Sequence, residues 1–338
     1  MDLRIIIERN IPFIEGILDN LAQVEYLTAD KIDADAMRNA DALICRTRTR
    51  CDASLLNGSQ CSFIATATIG TDHIDLDYCQ RRGIAIANAP GCNAPAVAQY
   101  VFASLAQVIN RPISDYTIGI VGVGHVGKII EQWSRKLGMQ VLLCDPPRAE
   151  IECSNNFVSL DEIARNCDII TFHTPLINNG KYPTHHICSD SFLNNVSRKP
   201  IIVNCARGGI FDTQAVINAL DAGKIAKVIV DCWEGEPQLN PTLLEKAIIA
   251  TPHIAGYSRE GKVRATAMVL NALAKHFNLT IPNVAQGIAP GAAKNISLQS
   301  ITDSYNPLID TLALKSTPNN FEALRNNYNY RNEVVDVE

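Results

Sequence analysis

The chain has 338 residues, 47% hydrophobic and 19% charged, with a formal net charge of −5. That length allows two domains and a sizeable core, and the mild acidity without a basic stripe argues against nucleic acid as a partner. The apolar run after the charged start stops at Glu8 and no later run reaches spanning length, so neither a secretory signal nor a membrane span is expected and the expected location is cytoplasmic.

Short apolar runs at 3–7, 24–27, 42–45, 63–68 and 84–88 alternate with polar or helical stretches. Their continuous apolarity predicts parallel strands covered on both faces, hence a first α/β layer over 1–92. Ala94 to Val108 reads as a long apolar helix with Pro95 in its first turn, where the missing N–H is harmless. Six further runs lie at 118–123, 141–144, 169–172, 201–204, 228–231 and 248–250. The fold class is therefore α/β, with two doubly wound parallel sheets. A helix from Arg259 to Phe277 is expected to pack back on the first layer, which makes that layer discontinuous.

The stretch Thr117 to Gly127 reads T-I-G-I-V-G-V-G-H-V-G, and the next apolar run ends in Asp145, 18 residues after Gly127. Strand, glycine turn, helix, strand and acid form the layout of a dinucleotide-binding unit. Gly122 allows the turn, Gly124 lets backbone approach a pyrophosphate, and Gly127 lets helix and strand pack closely. His125 and Val126 open a helix whose free N–H groups suit phosphate. Asp145 can accept from ribose hydroxyls and would repel a 2′-phosphate, which favours NAD over NADP; the plainer reading is a helix cap.

Ligands of open parallel sheets bind beyond the carboxyl ends of the strands, so polar residues there are site candidates. Arg207, in N-C-A-R-G-G, suits a small carboxylate or a structural ion pair. His253 can move a proton near neutral pH, and Glu236 could orient it; alone, either is as readily structural. Eleven cysteines, without CxxC spacing, are expected to be reduced buried thiols. His185, His186 and Cys188 lack the second half of a metal site, so no metal is expected.

Taken in order, Gly122–Gly127, Asp145, N-C-A-R-G from Asn204, D-C-W-E-G-E-P from Asp231 and T-P-H-I-A-G from Thr251 resemble the motifs of the D-isomer-specific 2-hydroxyacid dehydrogenases. The resemblance implies NAD-linked oxidation of a 2-hydroxy acid, with Arg207, Glu236 and His253 as the catalytic set. It also implies cofactor contacts from Asp145, Thr174, Asp231 and Gly256, and substrate contacts from Arg46, Thr47, Thr68 and Tyr257. A closer likeness, in 65–75, 89–94, 143–148, 171–176 and 253–257, implies a small phosphorylated 2-hydroxy acid as substrate, with Arg46 toward its phosphate. The tail 321–332 implies a short C-terminal dimerisation region and a homodimer. The expected domains are 1–92 plus 257–282 for substrate, 93–256 for NAD and 283–338 for dimerisation, with substrate between the first two. Thr47 stands where serine is common, and Gln99 where glutamate is usual, a change expected to leave the chemistry untouched. The alternatives are another enzyme of the family, a 3-phosphoglycerate dehydrogenase or hydroxypyruvate reductase, or a non-catalytic NADH-sensing protein.

Overall fold

A computed structural model describes residues 3–289 and 291–336, which divide into two compact units. The first comprises 3–93 with 259–289, the second 94–258 with 291–336. The second unit therefore starts one residue later than expected and keeps Tyr257 and Ser258. The residues from 291 onward are part of it rather than a region of their own. The physical reason is packing: Ile296, Ile301, Tyr305 and Val334 join one apolar core of that unit, and Leu314 and Phe321 join another. The Trp133 indole also donates to the Ala293 carbonyl at 2.8 Å.

The first unit holds five parallel strands, β1 (Arg4–Glu8), β2 (Gln23–Leu27), β3 (Ala42–Cys45), β4 (Phe63–Thr66) and β5 (Ala85–Ala87). Their order, β2-β1-β3-β4-β5, is that of a flavodoxin-like sheet. Ile6, Leu43 and Ile64 point to one apolar cluster, Ile5, Ile7, Ala42 and Ile44 to the other, so the sheet is buried on both faces. That is why its strands read as unbroken apolar runs. The helix Arg259–Phe277 closes one face through Val269, Leu270 and Leu273. Its Thr266 hydroxyl donates to the Pro12 carbonyl, and its Arg264 to the Cys92 carbonyl.

The second unit holds six, β6 (Thr117–Val121), β7 (Gln140–Cys144), β8 (Ile169–Phe172), β9 (Ile201–Asn204), β10 (Lys227–Val230) and β11 (Ile249–Ala250). They run parallel in the order β11-β10-β9-β8-β6-β7, which reverses between β6 and β8. In their register Cys144 pairs with Val121, Val121 with Phe172, Phe172 with Asn204, Asn204 with Val230 and Val230 with Ala250. The last residues of all six strands thus stand in one row, and the loops leaving the strands emerge on one edge. The helix Ala94–Val108 is almost wholly buried against this sheet. Its fully covered aromatic and aliphatic side chains contribute about 1.5–3 kcal/mol each. No helix among the described residues is long and apolar enough to cross a membrane.

All eleven cysteines are free and all but Cys153 are buried. Burial pushes the Cys144 and Cys167 thiols up to about 12, so neither ionises near neutral pH. The native protein should therefore react rapidly with a thiol-specific chromogen at Cys153 alone, and at all eleven thiols once denatured. A Cys153→Ser variant that still reacts rapidly would contradict this burial pattern.

Candidate functional site

The glycine turn occupies the β6 end of the row. Gly122 has φ +89°, in the left-handed region, and a Cβ there would lie 2.7 Å from the Thr174 backbone nitrogen. A Cβ at Gly127 would lie 2.2 Å from the Gly122 carbonyl oxygen, so helix His125–Lys136 approaches the turn as only glycine allows. A Cβ at Gly124 would meet nothing within 4 Å. Packing within the protein thus explains two of the three glycines and leaves the space beside Gly124 open.

Asp145 follows β7 and is a helix cap, as the plainer reading of its position expects. Its Oδ1 caps the helix Pro146–Glu152 by accepting from the Arg148 N–H, while Oδ2 accepts from the Val123 N–H at 2.8 Å. Each oxygen keeps a further lone pair for a ribose hydroxyl. Arg148 donates to the Val123 carbonyl and pairs with Glu152 at 2.6 Å. After β8, the Thr174 hydroxyl is buried with no hydrogen-bond partner, beside the glycine turn. Burial lowers His173 to about 3, so this histidine is neutral and exchanges no proton in the working range.

The other half of the row carries the catalytic candidates. Asn204, fully buried at the end of β9, donates to the Arg207 and Cys232 carbonyls and accepts from the Ala206 N–H. This shapes the turn that presents Arg207. A Cβ at Gly208 would lie 2.0 Å from the Trp233 carbonyl oxygen, so the turn is seated directly on the 231–237 loop. In that loop Glu236 Oε1 lies 2.6 Å from His253 Nδ1, and Oε2 accepts from the Trp233 N–H. Burial opposes ionisation of Glu236. The hydrogen bond and charge of His253, the Trp233 N–H and the charge of Arg325 override it and hold the carboxyl below its ordinary range. With Nδ1 committed to the carboxylate, Nε2 is the nitrogen left to exchange a proton.

His253 itself has φ +55°, a left-handed conformation costly for a side chain of this kind. The residue that holds it there is Asp231. Expected to meet the cofactor, Asp231 is 1% exposed and turned inward. Its carboxylate accepts from the Thr251 hydroxyl and from the N–H groups of Ile254 and Ala255, and its carbonyl accepts from the His253 N–H. Burial raises its pKa; the charge of His253 and these donors oppose the rise.

The C-terminal segment grips the same loop. Arg331, buried, donates through Nη1 to the Ile254 and Tyr257 carbonyls and the Tyr328 hydroxyl. Its Nη2 donates to the Ala255 and Ala96 carbonyls, its Nε to Gln99 Oε1, and its cation lies 4.3 Å from the centre of the Tyr305 ring. The Gln99 amide donates in turn to Ser304 and the Asn332 carbonyl. Tyr257 stands among Tyr328 and Tyr330, ring centres 6.2 and 6.1 Å away. A second loop is tied down by Glu234, which meets His186 Nε2 at 2.5 Å and accepts from the Thr213 N–H. Glu234, His185 and His186 offer donor atoms within 4.8 Å of one another, a grouping in which Cys188 takes no part.

In the first unit Arg46, Thr47 and Thr68 lie just past the ends of β3 and β4. Buried Glu8 organises the loop by accepting from the Arg46 N–H and the Thr49 hydroxyl, both at 2.8 Å. The Arg46 guanidinium donates to the Asn10 carbonyl, Thr47 is exposed, and the Thr68 hydroxyl bonds Thr66 and the Gly70 carbonyl.

Residues 96–255 match the family model described as D-isomer specific 2-hydroxyacid dehydrogenase, NAD binding domain. The chain is 44% identical to an erythronate-4-phosphate dehydrogenase of Bacteroides thetaiotaomicron, over 98% of this chain and 97% of that one. It is 37% identical to one of Escherichia coli, over 98% and 92% respectively. The chain belongs to the D-isomer specific 2-hydroxyacid dehydrogenase family. Among solved structures, a D-lactate dehydrogenase of Aquifex aeolicus, complexed with NAD and lactic acid, shares the fold with a TM-score of 0.68 at 23% identity, covering 87% of this chain and all of its own. The protein is an NAD-dependent dehydrogenase of this family. Its own residues fit that cofactor: an open approach at Gly124, a helix N-terminus, an acid at the end of β7 and an unpartnered buried hydroxyl on Thr174.

The glycines make a paired test. Gly127→Ala overpacks backbone and should cost about 1–3 kcal/mol, a drop in Tm of roughly 2–4 °C per kcal/mol. Gly124→Ala should leave Tm unchanged and weaken NADH binding, read by fluorescence titration. Equal Tm loss in both variants would contradict the different reasons given for the two glycines.

Proposed function

We propose that the protein oxidises 4-phospho-D-erythronate at C2 with NAD, forming 3-hydroxy-2-oxo-4-phosphooxybutanoate on the route to pyridoxal 5′-phosphate. The observation that carries the chemistry is the 2.6 Å contact between His253 and Glu236 on the edge that also presents Arg207. The substrate is inferred from relatives named erythronate-4-phosphate dehydrogenase that match nearly the whole chain.

In this reading Arg207 binds the substrate carboxylate and the C2 oxygen. His253 Nε2 takes the C2 hydroxyl proton as the C2–H bond breaks, and Glu236 stabilises the imidazolium that forms. Bound NAD supplies the acceptor for the hydride. In the reverse direction protonated His253 returns its proton to the oxygen. Asp145, Thr174 and Gly256 hold the cofactor with the glycine turn. Thr47, Thr68 and Tyr257 contact substrate, and Arg46 takes its phosphate, for which a guanidinium fork is well suited. We place the enzyme in the cytoplasm, where its free thiols stay reduced.

We read the enzyme as a homodimer formed through its C-terminal residues. The helix Pro307–Ser316 exposes Ile309 and Leu312, 67% and 70% accessible, next to partly exposed Leu308. A stripe of this kind on a soluble helix suits a second copy of the chain. Light scattering should give a dimer mass, and Leu312→Glu should shift it toward monomer; a wild-type monomer would overturn this assembly.

The catalytic test is NADH formation from 4-phosphoerythronate, 3-phosphoglycerate, glycerate and lactate. 4-Phosphoerythronate should give the highest kcat/KM. His253→Gln should lower kcat by about 10²–10⁴ while sparing NADH binding. Tight NADH binding without turnover of any acid would favour a sensor, and near-normal turnover in His253→Gln would remove that residue from the mechanism.

A further inference from the structure

His185 and His186 are neighbours in the chain, and an extended backbone would send their side chains to opposite sides. Here His186 has φ +53°, in the left-handed region, and the two imidazoles stack with ring centres 3.9 Å apart. Pairing fixes the conformation: the His185 N–H donates to the Ile177 carbonyl, the His186 N–H to the Gly209 carbonyl at 2.7 Å, and the Cys188 N–H to the Ile210 carbonyl. The buried Thr184 hydroxyl donates to the Pro175 carbonyl and accepts from the Ile177 N–H. A Cβ at Gly209 would lie 3.4 Å from His185 Cδ2, so the His185 ring rests on that turn.

The histidines alone are half a metal site. The fold supplies the other half from 48 residues away, where Glu234 Oε1 meets His186 Nε2 at 2.5 Å. Among the described residues, His185, His186 and Glu234 are the one group of three His, Cys, Asp or Glu side chains whose donor atoms are close enough to share an ion, all within 4.8 Å. A tetrahedral zinc site, with nitrogen and oxygen donors about 2.0–2.2 Å from the metal, sets those donors roughly 3.3 Å apart. The present separations run from 2.5 Å to no more than 4.8 Å, so an ion asks the side-chain ends to move by on the order of 1 Å. Exposure allows that movement: His185 is exposed, and the His186 and Glu234 side chains are 32% and 35% accessible.

Glu234 is prepared for an ion. Its second oxygen accepts from the Thr213 N–H, the kind of outer contact that orients a ligating carboxylate. Burial opposes its ionisation; the hydrogen bonds of His186 and Thr213 and the charge of His186 override it and hold the carboxyl below its ordinary range. We propose that His185, His186 and Glu234 form a binding site for a divalent transition-metal ion, with water completing its coordination. Two imidazoles and a carboxylate suit Zn²⁺ and Co²⁺, whereas Mg²⁺ prefers oxygen ligands alone. The Cys188 thiol is fully buried and raised by that burial, and it stands outside the group. Glu234 lies on the same loop as Glu236, so the ion would sit beside the catalytic candidates while using neither Glu236 nor His253.

The test is a titration of the full-length protein with cobalt(II) chloride, read by visible absorption and followed by zinc chloride. The wild type should bind one equivalent and develop the bands of four- or five-coordinate Co²⁺, without a thiolate charge-transfer band in the near ultraviolet. Zn²⁺ should erase the bands and Mg²⁺ should leave them. His185→Phe keeps a ring to stack, and His186→Gln keeps a donor toward Glu234; circular dichroism checks that they fold, and either one suffices. Each should weaken Co²⁺ binding by more than about 100-fold, since losing even a partner behind a ligand costs about 10–100-fold. His253→Gln should bind as the wild type does. The site is overturned by a wild type that develops no such bands, by a thiolate band at one equivalent, or by unchanged affinity in either folded histidine variant. Loss of binding in His253→Gln would move the ion to the catalytic candidates and overturn it equally.

Discussion

The buried carboxylate of Asp231 is the constraint on which the site depends. A charge so deep in a protein is costly unless donors surround it. Here the donors are the Thr251 hydroxyl and two consecutive N–H groups of the loop that carries His253. The loop cannot leave without stranding that charge. Arg331 completes the arrangement from the opposite polarity, because it takes the carbonyls of the same two residues, Ile254 and Ala255. Each of those residues is thereby held at its donor and at its acceptor. A histidine in the left-handed region is tolerable in such a setting, since the neighbouring backbone leaves it no alternative.

The row of strand ends divides the work. Toward β6 and β7 lie the glycine turn and Asp145, on the side that a dinucleotide needs. Toward β9, β10 and β11 lie Arg207, Glu236 and His253, to which the proposed reaction assigns a carboxylate and a proton. The reversal of strand order between β6 and β8 separates the two halves and opens the crevice in which open parallel sheets bind ligands. The division is a property of the register: all six strands stop at the same level, so side chains far apart in sequence share one surface.

Much of this was legible in the residues. Unbroken apolar runs mark strands buried on both faces, and the long helices at 94–108 and 259–277 stand out by length and composition. Arg207 and His253 could be picked out because polar residues after such runs are few. What could not be read is what depends on contacts over long separations. Asp231 looks like any strand-end acid; only the folded loop shows that its oxygens point inward. Gln99 looks like a harmless replacement of glutamate, yet it is fully buried and bonds Arg331, Ser304 and the Asn332 carbonyl. Glu8 and Glu234 give no local sign that they organise the loops of Arg46 and His186. The C-terminal boundary is misplaced from sequence for the same reason: its apolar residues are too sparse to signal that they complete the core of the second unit.

The clamp on the His253 loop recognises main chain rather than side chains. As far as that clamp is concerned, the identities of Ile254, Ala255 and Tyr257 are free to drift, and any selection on them must come from packing or ligand. Its length is a different matter. One residue inserted or deleted between His253 and Ser258 would throw the amide donors to Asp231 and the carbonyl acceptors of Arg331 out of step together. Descendants of this gene should therefore vary in spelling across the loop while keeping its residue count, and a library that samples loop length should be far poorer in active clones than one that samples composition.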